Sequence, residues 1–167
     1  MPYSIRAARP GDEHSLGPVH LQVWREAYAG VLPAPYLAEL SVESFTERWH
    51  ELLRSEADGT APRRTFVLCA DGEPVGIATA GPSRDDPADP AFELYAINVL
   101  AAHHGSGRSR ALLEAAVDAV APDAPLSLWV LRGNDRAMAF YRRLGFAPDG
   151  RTKPHPGTGV IEERWVR

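Results

Sequence analysis

Two glycines stand directly before an apolar helical pattern in the stretch HHGSGRSRALLEAA, residues 103 to 116. Glycine loses more conformational entropy on folding than other residues, so two glycines at the start of a helix indicate a structural or functional requirement. The unpaired N–H groups of a helix's first turn, together with the helix dipole, form an anion site. Glycine lets a phosphate group approach that backbone closely, and Arg108 and Arg110 add positive charge. The stretch therefore predicts a phosphate-binding turn, with a simple strand-to-helix turn as the alternative.

Two widespread phosphate loops do not match this stretch. The sequence GSGRSR has no GK[ST] ending, which a nucleotide P-loop requires. It also lacks the third glycine of the dinucleotide-binding fingerprint. Both of these nucleotide-binding classes are therefore disfavoured.

The turn lies in a chain whose pattern predicts a mixed α/β layer structure. Apolar alternation and β-branched residues indicate strands, whereas apolar residues at helical spacing indicate helices. The DGEP turn at 71–74 joins two strands into a hairpin, and the loop SRDDPADP at 83–90 is expected to be exposed. The predicted strands are 3–9, 65–70, 75–81, 92–100, 125–131 and 160–167; the predicted helices are 12–28, 35–56 with a new start at Ser41, 106–120 and 134–146.

Length and composition indicate one globular domain without unusual partners. The chain has 167 residues, of which 44% are hydrophobic and 24% charged, and its formal charge of −4 argues against general nucleic-acid binding. No apolar run is long enough to cross a bilayer, so no membrane interaction is expected. Cys69 is the only cysteine, which excludes an internal disulfide. A cytoplasmic location is the default expectation, and a homodimer stays open as a hypothesis.

The segment INVLAAHHGSGRSRALLEAAV, residues 97 to 117, resembles motif A of the GNAT superfamily of N-acetyltransferases. In that family a strand ends in Val, and then Gln or Arg precedes x-x-Gly-x-Gly/Ala at the start of a helix. His104 occupies the Gln/Arg position here. Gly107 matches the first glycine of the motif, and Ser109 stands where Gly or Ala is usual.

A second segment, NDRAMAFYRRLGF at 134–146, is similar to the family's signature N-x-x-A-x-x-F-Y-x-x-x-G-F at every named position. Upstream, VWREAYAGVLPAPYLAEL resembles the first-helix region of many bacterial members. The resemblance covers essentially the whole chain. It implies a single N-acetyltransferase domain over residues 1–167, with a central mixed, mostly antiparallel sheet, two splayed central strands and flanking helices.

The same resemblance implies that acetyl-CoA binds between the splayed strands FELYAINV and LSLWVL. Backbone groups of the first of these strands would pair with the pantetheine arm in the manner of strand addition, and the amides of the glycine turn would hold the pyrophosphate. Asn134, expected to cap its helix, would add a contact through its amide or backbone. The coenzyme residues implied in this way are Ile97, Asn98, Val99, His104, Gly105, Ser106, Gly107, Arg108, Ser109, Asn134 and Tyr141.

Tyr141 is implied by the resemblance to be the general acid beside the thioester sulfur. A tyrosine with an ordinary pKa near ~10 stays protonated at neutral pH and can donate to a thiolate, whose thiol pKa is ~8.5. Complete proton transfer would be uphill by roughly 2 kcal/mol, so a strong hydrogen bond is an alternative role. A purely packing role beside Phe140 is the structural alternative.

Glu93 is the chosen candidate for the base that takes the proton of the acceptor amine. Alternation along its strand predicts that Glu93 shares a face with Tyr95 and Ile97, and a carboxylate there is unusual for a buried strand. A solvent-facing or salt-bridged glutamate is the alternative. His20 is a second candidate for the base.

The acceptor site is predicted from Trp24 and Tyr28, which lie four residues apart on one helical face and can line a pocket or pack in the core. The adjacent pair His103 and His104 has a poor spacing for one metal ion, so no metal is assigned. The leading hypothesis is acetyl transfer to the primary amine of a small molecule. The alternatives are protein or peptide N-acetylation, and a non-catalytic acyl-CoA sensor on the same fold.

Overall fold

A computed structural model of the protein describes residues 1–105 and 107–167, and these residues contain one seven-stranded sheet. The predicted strands all form, with bounds within three residues of those expected. The strands in chain order are β1 (Tyr3–Ala7), β2 (Arg64–Ala70), β3 (Glu73–Pro82), β4 (Phe92–Val99), β5 (Leu126–Leu131), β6 (Ala147–Pro154) and β7 (Ile161–Val166).

Five α-helices lie in the described residues and pack against this sheet. The side chain of Ser41 accepts a hydrogen bond from the Ser44 backbone, which confirms the predicted new helix start. Within the described chain no helix is both long and apolar enough to span a membrane. The helices are α1 (Glu13–Tyr28), α2 (Ala34–Glu39), α3 (Val42–Ala57), α4 (Arg108–Asp118) and α5 (Asp135–Arg143), and a short 3₁₀ turn (Ala101–His103) precedes α4.

The strand order is β1–β2–β3–β4–β5–β7–β6, and every neighbouring pair is antiparallel except β4 and β5. Those two central strands run parallel and pair only where Phe92–Leu94 face Leu126–Leu128. β5 stays paired with β7 as far as Leu131, while the rest of β4 pairs only with β3. The predicted mostly antiparallel sheet with two splayed central strands is confirmed.

A β-bulge in β4 changes which side chains share a face. Thr79 of β3 pairs with Ala96, whereas its neighbour Ala80 pairs with Leu94, so Tyr95 is the extra residue. Pairing partners point to the same face of a sheet, and the bulge reverses the alternation that the sequence predicts.

Each face of the sheet has its own helix layer and its own buried core. On one face α4 packs Leu112 and Leu113 against Leu94 and Leu128. On the other face α1 and α3 form a second cluster, whose members are Leu16, Trp49, Leu53, Val67, Cys69 and Ile77. The gap between β4 and β5 therefore opens between two helix layers.

The sequence analysis missed one strand, β6. Its residues APDGRTKP are almost all exposed, and proline and glycine are typical of loops rather than central strands. It forms at the sheet edge by pairing with β7, with an irregularity between Pro148 and Thr152. An edge position tolerates proline because one side of the strand needs no partner.

Candidate active site

A cleft of about 810 Å³ opens where β4 and β5 diverge. The glycine turn and α5 line it from one face of the sheet, and α1 and α3 line it from the other. Ala96 and Ile97 of β4 and Val130 of β5 form its middle. The two helix layers thus reach one common cavity through the gap between the strands.

The glycine turn has the geometry of an anion cradle. Gly105 and Gly107 have φ angles of +88° and +79°, in the left-handed region that favours glycine. Gly107 is the N-cap residue of α4, and a Cβ placed at either glycine would meet no heavy atom within 4 Å. The open space beside a helix N-terminus fits a phosphate group. Ser106, predicted for the same role, lies outside the described residues.

The two arginines that follow the turn, Arg108 and Arg110, point in different directions. Arg108, predicted as a coenzyme ligand, stacks with its guanidinium carbon 3.6 Å from the Tyr3 ring centroid and does not line the cleft. The Arg108 side chain is therefore directed away from the cleft. Its backbone N–H lies in the first turn of α4, so the predicted contact of this amide with a phosphate stays a prediction. Ser109 and Arg110 do line the cleft, and Arg110 also pairs with Glu114 at 2.8 Å.

The backbone of β4 beyond the bulge faces the gap at alternate residues. Leu100 donates its N–H to the carbonyl of Val75 on the β3 side. Because antiparallel partners alternate, Asn98 also directs its backbone to β3, whereas Ile97 and Val99 direct theirs into the gap. Ile97 and Val99 are thus placed for strand-like pairing with an extended ligand. Asn98 also lines the cleft, but its backbone faces β3 and its side chain approaches His20 at 3.3 Å, so the predicted backbone pairing rests on Ile97 and Val99.

His104 ties the glycine turn to the end of β4. Its Nε2 lies 2.6 Å from the carbonyl oxygen of Val99, to which it donates. A neutral imidazole that donates from Nε2 has a free lone pair on Nδ1. The Nδ1 atom is buried and has no hydrogen-bond partner among the described residues, and His104 lines the cleft. A ligand N–H or O–H at this place would satisfy it.

Helix α5 brings Asn134 and Tyr141 to the same cleft. The side-chain oxygen of Asn134 accepts from the Ala137 backbone at 3.3 Å, so it caps the helix as predicted. Tyr141 is 7% exposed, and burial raises the pKa of its hydroxyl well above the ordinary value, with a further contribution from the nearby Tyr28. The Tyr141 hydroxyl has no protein hydrogen-bond partner in the described chain, so it is available to a ligand.

Trp24 and Tyr28 line the cleft on the face opposite the glycine turn. Their rings pack edge to face with centroids 5.1 Å apart, so they are packing residues as well as wall residues. The loop between β6 and β7 borders this end. The ring centroid of His155 lies 6.3 Å from that of Trp24 and 5.9 Å from that of Tyr36 in α2. The far end of the cleft is therefore lined by aromatic side chains.

Comparison with known proteins decides the family. The model of the acetyltransferase (GNAT) family matches residues 34–146. The chain belongs to the GNAT acetyltransferase family. A probable N-acetyltransferase of Mycobacterium tuberculosis is 30% identical over 159 residues, covering 93% of this chain and 88% of the relative. An uncharacterised N-acetyltransferase of Bacillus subtilis is 27% identical over 142 residues, covering 83% and 77%.

Solved structures share the fold of this GNAT protein. The PaiA N-acetyltransferase of Thermoplasma acidophilum, crystallised with coenzyme A, superposes with a TM-score of 0.75 at 19% identity and covers 98% of each chain. An acetyltransferase of Thermus thermophilus superposes with a TM-score of 0.67 at 24% identity, covering 100% and 97%. Together the family and the fold identify the protein as a GNAT N-acetyltransferase of the acetyl-CoA type.

Glu93 does not occupy the place that a base requires in this GNAT protein. It is 1% exposed and does not line the cleft. Its carboxylate accepts the backbone N–H of Arg84 at 2.9 Å and pairs with the Arg84 guanidinium at 2.5 Å. The bulge also places Ile97 on the opposite face, so the predicted shared face is wrong. The alternative, a salt-bridged glutamate, is what the structure shows.

We expect Glu93→Gln to affect stability rather than the pH profile of catalysis. The change removes the charged partner of the Arg84 guanidinium and lowers the free energy of unfolding by about 1–3 kcal/mol. Arg84→Ala is expected to cost more, because it leaves the buried carboxylate of Glu93 without its guanidinium. Urea unfolding of both variants measures this order. A rising limb of kcat/KM that Glu93→Gln flattens and that Arg84→Ala shifts to higher pH would restore the catalytic assignment.

His20 is also unsuited to act as the base. The Trp49 indole N–H, which can only donate, lies 3.1 Å from Nδ1 of His20, so Nδ1 accepts. The single hydrogen of the neutral ring is then on Nε2, which lies 3.3 Å from the side-chain amide of Asn98 and can donate only to the oxygen of that amide. Burial, with a smaller effect of Arg48, lowers the pKa of His20 to about 3. Both ring nitrogens are engaged, and the imidazole is neutral at physiological pH.

This low pKa gives a testable dependence of stability on pH. Below pH ~6.5 the unfolded chain protonates His20 and the folded chain does not, so stability falls with falling pH until about 3. Between pH 7 and 5 the loss is about 2 kcal/mol. We expect His20→Gln to remove this part of the slope in urea unfolding, whereas the exposed His14→Gln keeps it. The arginines beside Asp12 and Asp149 lower the pKa values of these carboxylates, so their protonation reduces stability only at lower pH.

The sequence analysis missed Glu162 of β7, which lines the aromatic end of the cleft. Strand pairing places it beside Leu131 of β5, on the face that α1 covers. Burial raises the pKa of Tyr28 to about 12, and the negative charge of Glu162 adds to the rise. Alternation between Glu162 and Glu163 was the available signal, since neighbouring strand residues point to opposite faces.

No metal centre enters this description of the site. Within residues 1–105 and 107–167, no group of three or more His, Cys, Asp or Glu side chains is arranged to hold a metal ion. The residues that line the cleft act through hydrogen bonds, aromatic surface and charge.

Proposed function

We propose that the protein transfers the acetyl group of acetyl-CoA to the primary amine of a small molecule. One observation supports this most: the cleft runs through the sheet from the glycine turn on one face to an end lined by aromatic side chains on the other. Tyr141 lies on the cradle side and is close enough to Tyr28, on the pocket side, for their charges to interact. Such an arrangement lets donor and acceptor meet from opposite faces.

The coenzyme would be held by the backbone rather than by a dense set of charges. The left-handed glycines and the N-terminus of α4 fit the pyrophosphate, and Ile97 and Val99 fit an extended pantetheine arm. The orphaned Nδ1 of His104 offers one more acceptor. The Thermoplasma relative, whose structure contains coenzyme A, supports the same ligand here.

Acetyl-CoA supplies an activated thioester whose sulfur leaves as a thiolate. The raised pKa of Tyr141 keeps its hydroxyl protonated throughout the neutral range, and it makes complete proton transfer to sulfur less favourable. The role that fits is a hydrogen bond donated to the developing thiolate charge, as in electrostatic stabilisation of a transition state.

The acceptor's proton would be removed by desolvation of the amine and by solvent. An alkyl amine has a pKa near ~10.4, and burial disfavours its charged form. Trp24 and Tyr28 supply apolar surface at the pocket end of the cleft, while Glu93 and His20 are both engaged in structural contacts. The pocket therefore favours the neutral, nucleophilic amine at the point of reaction.

The aromatic end of the cleft bears on the size of the acceptor. His155, which lines the cleft, packs near the rings of Trp24 and Tyr36, so the loop after β6 borders this end. A concave site lined by aromatic side chains suits a small molecule.

An acetyl-CoA consumption screen over alkyl amines, amino acids, aminoglycosides and peptides tests the proposal. We expect turnover of one or more small primary amines, with acetylation of the amine shown by mass spectrometry. Turnover of peptides alone would instead identify a protein or peptide N-acetyltransferase. Tight acetyl-CoA binding without turnover of any amine would identify a non-catalytic sensor.

A further inference from the structure

Glu162 is a carboxylate in the aromatic end of the cleft that the acetyl-transfer step does not use. In the described chain its side chain has neither a hydrogen-bond partner nor an ion-pair partner, whereas the adjacent Glu163 pairs with Arg132 at 2.8 Å. A partly buried carboxylate without a partner is costly, and a cation that binds it removes that cost. The position therefore favours a positively charged ligand group.

The cation that could neutralise Glu162 from within the chain points elsewhere. Lys153 lies opposite Glu162 in the pairing of β6 with β7. Its ammonium nitrogen instead sits 4.0 Å from the ring centroid of Trp129. Glu162 thus faces the cleft without an ion pair among the described residues.

The surroundings of Glu162 suit an ammonium group in particular. Tyr28 packs beside Leu131, the strand partner of Glu162, and Trp24 packs against Tyr28. Aromatic faces attract cations within about 6 Å of the ring centroid, and a carboxylate beside them adds an ion pair. Arg48 lines the other side of the cleft near His20, and its positive charge disfavours a ligand cation on that side.

Resting on the proposed function, we propose that the acceptor carries a second positive charge, set back from the reacting amine, and that Glu162 binds it. Glu162 pairs with Leu131, which packs with Tyr28 on one face of the sheet, whereas Tyr141 packs in the core on the opposite face. A cation at Glu162 therefore belongs to a part of the acceptor remote from the nitrogen that is acetylated. Linear diamines are the simplest class with this charge pattern. Glu162 is a specificity-determining residue and takes no part in bond making.

Calorimetry on the protein saturated with coenzyme A tests this assignment without requiring turnover. The probes are linear diamines from diaminopropane to diaminooctane, each compared with the amino alcohol of the same length. We expect at least one diamine to bind roughly tenfold more tightly than its amino alcohol, as one ion pair with aromatic contact would give. Glu162→Gln is expected to abolish that difference, because the diamine loses the ion pair made by its second ammonium group.

Glu163→Gln is the matched control, because it removes the neighbouring carboxylate on the opposite face and is expected to keep the diamine preference. Equal affinity for diamine and amino alcohol, failure of all diamines to bind, or a preference that survives Glu162→Gln would overturn the inference. The two proposals fail separately. Diamine binding through Glu162 without acetylation would reject only the transfer reaction, and acetylation without charge preference would reject only the role of Glu162.

Discussion

We expect Gly107→Asp to abolish coenzyme binding in a protein that still folds. The new carboxylate would stand at the N-terminus of α4, in open space that fits the pyrophosphate. Two like charges about 4 Å apart repel by about 4 kcal/mol at an effective dielectric constant of about 20, which is close to a thousandfold in affinity. Calorimetric titration with acetyl-CoA measures the effect.

Gly59→Asp provides a control with the same local strain. Gly59 has a φ of +71°, close to that of Gly107, and a Cβ there also meets no heavy atom within 4 Å. It follows α3 and does not line the cleft. Both variants are expected to lose about 1–2 kcal/mol of stability, since an L-residue is forced into the left-handed region. Unchanged coenzyme affinity in Gly107→Asp would refute the anion cradle.

Tyr141→Phe is expected to lower kcat by about 10²- to 10⁴-fold while coenzyme affinity and melting temperature stay nearly unchanged. The ring keeps its packing against Phe146, with centroids 5.9 Å apart. The lost hydroxyl has no protein partner in the described residues, so its removal strands no buried donor or acceptor. The effect should therefore fall on the transition state alone.

Steady-state kinetics on an acceptor found in the amine screen measures this change, together with the dissociation constant of acetyl-CoA. A loss in kcat that appears equally in kcat/KM indicates an interaction made only in the transition state. Activity within twofold of the wild type would mean that Tyr141 only packs. A large loss of coenzyme affinity would place the hydroxyl in ground-state binding instead.

The glycine turn and the start of α5 are predictable from sequence because their geometry is local. Gly105 and Gly107 have positive φ angles that few other residues adopt, and they lie next to the helix they serve. Asn134 caps its helix through a residue three positions away. Short-range rules of this kind need no knowledge of the rest of the fold.

The opposite side of the cleft is not predictable in the same way, because its residues are defined by partners far along the chain. The ion pair of Glu93 with Arg84 depends on how the loop after β3 returns to β4. The bulge at Tyr95 leaves no mark in the strand pattern, yet it moves Ile97 to the other face. Glu162 becomes visible only when β7 inserts between β5 and β6.

The splay of β4 and β5 also gives the sheet two inner edges. Unpaired strand edges recruit other strands and are a common origin of aggregation. Here the open stretch of β4 is short, and His104 already occupies the carbonyl of Val99. Helix layers cover both faces of the sheet beside the gap, so a strand that paired there would have to fit its side chains between them. The short, covered edge therefore disfavours strand-by-strand polymerisation.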